Sequence, residues 1–524
     1  MKLNFINHTV NKAGRALPLQ GKINNIYHLV ASFILPLIFV GCAKFTDITP
    51  KGASLLNKVE DLELLLNHQN RFGSLAQAFD PTFLVDDFIP RGVDILRLIR
   101  DHETGHPSAM SILVTWDETV DRRSVLNSGG STYDAYYRII GTIANPILSK
   151  IDNATGSKEK ALQIKAEAYV LRAYMHYLAV NLYAKAYNPA TAATDGGIPY
   201  MFENDYADLL NYSPKKRTVK EIYDFILADL DSALNLNALP KSPIRIRVGE
   251  AFALAIKAKV LMAVRDYDGA YDAATKSLEI NNTMLNYRNA RAFARPEFNP
   301  SELFTLFETF TGAVFSTDFL ESLAPNDVLL NYGEFERNLP PPFNFIINGG
   351  QSVSRVIGVT GWMHNLWVGL PYSQYIPNSV GLSTVDMFLT QAEVEIRRGN
   401  IGNAMAILEM IRERRTIAGQ HDPLPGNPIE ALKLVSRHEN FASIRNFINL
   451  KRWNTESEWQ TTLTKTLRLA EGGFTAGDMI TGVFAQPIEP IIIKTYTLRP
   501  DSPLWVFPFP QSAANFNPNL TPNI

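Results

Sequence analysis

The sequence predicts a mainly α-helical protein, a scaffold of antiparallel helix pairs carrying one irregular, loop-rich lobe. Three observations predict it. Apolar residues recur at helical spacing over long stretches. Two segments about 130 residues apart repeat the same helix–turn–helix pattern. Between them, residues 283–383 are rich in Gly, Pro, Asn and aromatics, lack a helical period and are too long for a simple loop.

The first helical pattern runs over 133–152 on Tyr136, Ile140, Ile143 and Ile147. A second covers 158–187 on Leu162, Ala166, Tyr169, Ala173 and Tyr177. A third begins at Thr218, with Glu221 three positions on, the pattern of a capping box, and continues on Ile222, Phe225, Ile226 and Leu230 to 236. Over 251–282, Ala258 and Leu261 lie on one helix. A turn through Asp266-Tyr267-Asp268-Gly269-Ala270 then leads to a return helix on Ala274, Leu278 and Ile280. Over 384–415, Ala392 takes the small position, Gly399-Asn400-Ile401 the turn, and Ala404, Leu408 and Ile411 the return. This is similar to the tetratricopeptide pattern, in which small residues let paired helices approach and stacked pairs bury a shared core. The segments 161–187 and 218–236 fit as a third copy split by an insertion.

The amino terminus has its own logic. Lys2, Lys12, Arg15 and Lys22 precede an apolar run from Leu29 to Val40, no acidic residue intervenes, and Gly41-Cys42 follows. That is a charged n-region, a short h-region and a small residue before a cut. Cys42, the single cysteine of the chain, stands where a lipoprotein's lipid-bearing cysteine stands. The run is shorter than the roughly 20 residues that span a bilayer. The expected organisation is a signal peptide over 1–41, a lipid-anchored tether over 42–60 and one domain over 61–524, with 283–383 as its irregular lobe. Beyond Cys42 there is no thiol, which excludes disulfides, thiolate metal sites and cysteine nucleophiles. Removing the four basic residues takes the formal charge from −2 to about −6, which argues against a nucleic-acid partner.

The chemistry on offer is recognition rather than catalysis. His102-Glu103-Thr104-Gly105-His106 spells the zinc-protease signature, but that motif needs a helix with both imidazoles on one face. Gly105 weakens a helix there and Pro107 disfavours helical geometry at His106, so a solvated loop is expected. Asp86-Asp87 are adjacent, so on a strand they point to opposite faces and do not form a glycosidase pair. No cofactor or metal site is expected. The ligand-binding candidates are aromatic: Trp362, Trp367, Tyr372 and Tyr375, with Asn365 among them, and Trp116 beside Asp117. Flat rings stack on the apolar face of a pyranose while amides hydrogen-bond its hydroxyls; the same rings could instead pack in the core. Trp453 and Trp505 are expected in the scaffold.

Read in order, several segments resemble one family. Tyr137 to Asn145 is similar to a Tyr-x-x-Ile-x-x-x-Ala-Asn helix, and Ala166-Glu167-Ala168 with Leu171-Arg172-Ala173 to an Ala-Glu-Ala…Leu-Arg-Ala helix. Val219 to Tyr223 with Asp229-Leu230, Ala392-Glu393 with Arg398-Gly399-Asn400, and Lys451-Arg452-Trp453 extend the match. It closes on Phe507-Pro508-Phe509-Pro510 and Asn517-Pro518-Asn519-Leu520. The chain thereby resembles the SusD/RagB nutrient-binding lipoproteins of Bacteroidetes over nearly all of its length after Cys42. Tyr133 stands where many members carry Trp. The resemblance implies a non-enzymatic lipoprotein on the outer face of the outer membrane. It would capture oligosaccharides or peptides and deliver them to a TonB-dependent, SusC-like transporter barrel. The alternative is a tetratricopeptide-like interaction scaffold on the cell surface with no small ligand.

Overall fold

In the computed structural model, residues 56–67, 103–123, 132–208, 213–284, 380–414, 423–470 and 491–523 are described, apart from 106, 108, 124–131, 245, 246, 441 and 442, with short pieces at 81–90 and 313–315. The chain divides into two units, Met1–Leu55 and Leu56–Ile524, and every described residue belongs to the second. Cys42, and nearly all of the 283–383 stretch, lie outside the described residues.

The scaffold is helical, as its periodicity predicts. A short helix α1 (Val59–Asn67) and α2 (Ala109–Thr115) precede α3 (Thr132–Ile139) and α4 (Asn145–Lys150). The last two are joined by a π-helical turn, Ile140–Ala144, inside what the sequence reads as one continuous helix. The long α5 (Lys158–Tyr183) follows, then α6 (Val219–Asn235), α7 (Glu250–Val264), α8 (Tyr267–Ile280), α9 (Thr384–Arg397), α10 (Ile401–Glu413), α11 (Pro428–Glu439) and α12 (Ile444–Trp453). From α5 to α11, each helix packs on the one before it, which is how tetratricopeptide-like pairs stack into a shared core.

Local chemistry sets the boundaries. Thr218 and Glu221 form the expected capping box at the start of α6, and Ser383 with Asp386 forms another at α9. At the α7–α8 corner, Arg265 takes a left-handed conformation (φ 68°) and Asp266 accepts from the Gly269 amide. The turn is therefore two residues long, and Tyr267 already belongs to the return helix rather than to the turn. Gly399 (φ 78°) provides the left-handed residue at the α9–α10 corner. Three antiparallel strand pairs decorate the helices: β1 (Phe88–Pro90) with β4 (Ala313–Phe315), β2 (Gly196–Pro199) with β3 (Lys216–Thr218), and β5 (Leu463–Ala470) with β6 (Ile491–Leu498).

The core is unusual in the charges it holds. Helix α5 is buried on nearly every side from Val170 onward, although Leu162, read from periodicity as a core position, is exposed. Inside it, Arg172 makes a bidentate pair with Asp229 of α6 (2.7 Å twice), donates to Asn145 Oδ1 (3.1 Å) and contacts Glu203. Tyr200 donates to the same Asp229 (2.6 Å). One helical turn on, His176 Nε2 accepts from the Met201 amide (3.2 Å), so the ring proton sits on Nδ1 and goes to the Arg172 carbonyl (2.9 Å). Glu167 takes Arg247 (2.7 Å), which also reaches Glu63 of α1 (3.1 Å). Across the α9–α12 contact, Glu393 receives both arms of Arg452 (2.7 and 2.6 Å) and Arg397 (2.8 Å). The Arg397 guanidinium is sandwiched by Tyr267 and Trp459 at 4.4 and 4.1 Å.

Two predictions follow from these networks. Burial alone would raise the Glu393 pKa, but Arg452 and Arg397 overcome it and hold the carboxyl at about 2, below its ordinary 4.5. Its contribution to stability is therefore present above pH 4.5 and is lost as pH falls through 4.5 towards 2. Glu393→Gln strands Arg452 and should destabilise the protein by about 3–5 kcal/mol in urea unfolding at pH 7, with a flatter acid limb. Burial drives His176 the other way, to about 3 from 6.5, and a ring that accepts at Nε2 must stay neutral. Below pH 6.5 the unfolded chain binds a proton that the folded one refuses, so stability falls with acidification by about 1.4 kcal/mol per pH unit from this group. His176→Phe, which keeps the stack on Tyr200, should lose that slope between pH 6.5 and 5; an unchanged slope contradicts the assignment.

Candidate functional site

Among the described residues, a cleft of about 290 Å3 opens between the loop after α2 and the carboxy-terminal segment. The loop side is Trp116 to Arg123. Trp116 has a left-handed backbone (φ 52°), and its indole N–H donates to the Leu84 carbonyl (2.6 Å). Asp117 then closes a turn by accepting from the amide and hydroxyl of Thr119 (2.7 and 2.6 Å). This projects Glu118, Val120, Asp121, Arg122 and Arg123 to the cleft.

The opposite wall is the chain's last segment. A single 3-10 turn, Pro503–Trp505, leads into Phe507, whose amide bonds the Leu182 carbonyl at the end of α5 (2.9 Å). Phe509 stacks on Tyr183 (5.6 Å) and meets Tyr133 edge-on (5.8 Å), so both tyrosines back this wall residue. Asn517 donates to the Pro214 carbonyl (2.8 Å), and Asn523 to the carbonyls of Tyr183 and Gly197 (2.7 Å each). These amide side chains tie an otherwise irregular tail to the helices. Pro503, Pro508, Leu520 and Pro522 complete an apolar lining.

The two walls are joined by Arg122. Its guanidinium is 7% exposed and donates to the carbonyls of Pro503 (3.0 Å), Leu504 (3.4 Å) and Val506 (3.0 Å). Burial lowers its pKa to about 10, against the raising effect of Glu118 and Asp121. Those carboxylates sit at the rim, Glu118 beside Arg499 (3.1 Å) and Asp121 near Arg123 (3.7 Å). Lys451 donates to the carbonyls of Asn181 and Ala184 at the end of α5 (2.7 and 2.6 Å), and its pKa is pushed down by burial and by Arg122.

Sequence reasoning reached the neighbourhood but not the residues. Trp116 is 5% exposed, its N–H is used and the Lys465 ammonium lies 4.5 Å over the ring, so it anchors the loop. Trp362, Asn365, Trp367, Tyr372 and Tyr375 lie outside the described residues, as do Asp86, Asp87, His102 and His106. Glu103 is exposed at a helical position and pairs with Lys494 of β6, and the chain turns at Thr104-Gly105, where Gly105 is left-handed (φ 83°). Trp453 and Trp505 are buried, Trp453 against Trp459 and Trp505 with its N–H on the Arg499 carbonyl (2.9 Å). The cleft unites positions some 380 residues apart. The only hint of it in sequence was the basic pair Arg122-Arg123 after a turn, with a proline-rich tail.

Residues 98–262 match the SusD-like_3 family model, described as starch-binding associating with outer membrane. Over that stretch the chain is similar to the SusD-like family. Its fold is that of a SusD superfamily protein from Bacteroides thetaiotaomicron at 18% identity, with 89% of this chain and 100% of that one covered and a TM-score of 0.60. It is equally similar to a putative sugar binding protein from Bacteroides vulgatus (14%, 90% and 99% covered, TM-score 0.59). A SusD-like carbohydrate binding protein from the same species gives 14%, 88% and 97%, and 0.58. No curated protein sequence matches the chain. The SusD-like family is associated with the outer membrane, and no helix among the described residues is long and apolar enough to cross one.

Trp116→Phe removes the indole donor and leaves the buried Leu84 carbonyl without it. It should destabilise the protein by about 1–3 kcal/mol in urea unfolding while leaving ligand affinity unchanged; loss of affinity in a folded variant would return Trp116 to the binding site.

Proposed function

We propose that the protein is a surface lipoprotein, acylated at Cys42, that binds glycans and hands them to a TonB-dependent, SusC-like transporter without performing chemistry on them. The observation that carries this reading is the family match over 98–262, described as starch-binding, within a fold shared along 89% of the chain with a SusD superfamily structure. Two of the similar structures are named for sugar or carbohydrate binding. The aromatic composition suits that ligand class: the rings of Trp362, Trp367, Tyr372 and Tyr375 offer flat faces for pyranose stacking, with Asn365 as hydroxyl partner. Catalysis finds no support in the carboxylates of the cleft, since Glu118 and Asp121 each sit beside an arginine.

The test is a binding screen of soluble protein beginning after Cys42 against neutral and acidic polysaccharides and oligosaccharides, with a Trp362→Ala, Trp367→Ala double variant alongside. Binding to a glycan, lost in a folded double variant, is the expected result. Binding that survives the double variant keeps the receptor and moves its site. Failure to bind any glycan, with binding of peptides, overturns the carbohydrate reading.

A further inference from the structure

The cleft at Arg122 has a chemistry of its own. A guanidinium carries five N–H donors, and three are taken by the carbonyls of Pro503, Leu504 and Val506. Among the described residues no carboxylate lies within ion-pair distance of it, although it is more than nine-tenths buried. Phe509 of the opposite wall has the Lys216 ammonium 5.9 Å from its centroid, held by the Thr521 carbonyl (2.8 Å) and Asn523 Oδ1 (2.6 Å) outside the cleft lining. Of the charged groups that line the cleft, Glu118 pairs with Arg499 and Asp121 with Arg123, which leaves Arg122 as the one held by carbonyls alone. The rest of its lining, Pro503, Pro508, Leu520 and Pro522, is apolar. A volume of about 290 Å3 is at the lower limit for ligand pockets and holds one ring, not an oligomer.

We propose that this cleft is a subsite for one acidic sugar unit, a uronic acid. Its carboxylate accepts from one of the Arg122 N–H donors that the backbone leaves unused, and its apolar ring face lies on the prolines. A charge-assisted bond to a buried guanidinium is among the stronger polar contacts, and a neutral sugar of the same shape forgoes it. The cleft therefore acts as a selector: it favours chains bearing a carboxylated ring over their neutral isosteres. The inference rests on the reading of the protein as a glycan receptor and adds a ligand class to it.

The experiment is calorimetric titration of the soluble chain after Cys42 with oligogalacturonate and with the matched neutral galactose oligomer. It uses wild type, Arg122→Gln, and Val120→Phe, which fills the cleft from a half-exposed loop position without touching the Arg122 carbonyl contacts. Wild type should prefer the acidic oligomer by about tenfold or more. The preference should vanish in Arg122→Gln, and in Val120→Phe should the first variant fail to fold. Equal affinity for both oligomers, or a preference kept in both folded variants, overturns the subsite and leaves the glycan receptor standing. Binding to neither oligomer by wild type overturns the subsite too; if the wider screen also finds no glycan, the receptor reading falls separately. Tighter binding of an acidic peptide than of oligogalacturonate overturns the sugar assignment.

Discussion

Everything else in this fold is arranged around one charge in the wrong place, the guanidinium of Arg172 in the middle of a helix that is buried on almost every face. A buried cation without a partner is costly enough that the surrounding elements must come to it. Asp229 brings α6, Asn145 brings the end of the π-helical turn, and Glu203 brings the loop after β2. Tyr200 then completes the shell of Asp229, and His176 uses both ring nitrogens to hold the Arg172 carbonyl and the Met201 amide. Hydrophobic burial supplies the bulk of the stability, but it is tolerant of sliding and rotation. The bidentate pair is not, and it fixes the register of α5 against α6.

The same device recurs down the scaffold. Glu167 with Arg247 pins the start of α5 to the turn before α7, and Glu393 with Arg452 pins α9 to α12. The residues through which the sequence resembles the SusD-like proteins are largely these, all buried: Asn145, Glu167, Arg172, Asp229, Glu393 and Arg452. Asn517 tethers the tail in the same spirit, through a backbone carbonyl. The resemblance thus reads the architecture. It says nothing of which ligand is held, because these side chains are buried in the scaffold and bonded to one another or to backbone.

That division explains what could be read from residues alone. Helices, caps and corners are local, and the capping box at Thr218 and the turn at Asp266 are visible within four residues. Periodicity alone misjudges Leu162, where a helix end leaves the core, and it cannot see the π-helical turn at Ile140–Ala144, which adds a residue without breaking the apolar stripe. Trp116 is ambiguous in the sequence, because a tryptophan beside an aspartate looks the same whether its indole points out or in. Only Leu84 and Lys465, far away in sequence, decide. The cleft is the extreme case, since neither wall exists until the carboxy-terminal segment has docked.

The docking of that segment also ties recognition to stability. Phe507 and Asn523 cap carbonyls at the end of α5, the helix that carries Arg172, and the same segment supplies the prolines and carbonyls around Arg122. Carbonyls at a helix end carry partial negative charge, so Lys451 and the amide of Asn523 are well placed there on electrostatic grounds. Arg122 does the same for the 3-10 turn at Pro503 but uses only part of its donor set. A residue recruited to satisfy backbone carbonyls at a chain terminus is left with directed, desolvated donors at a surface cleft. An acceptor of complementary shape then meets a site that the fold has already ordered, with little further entropy to lose.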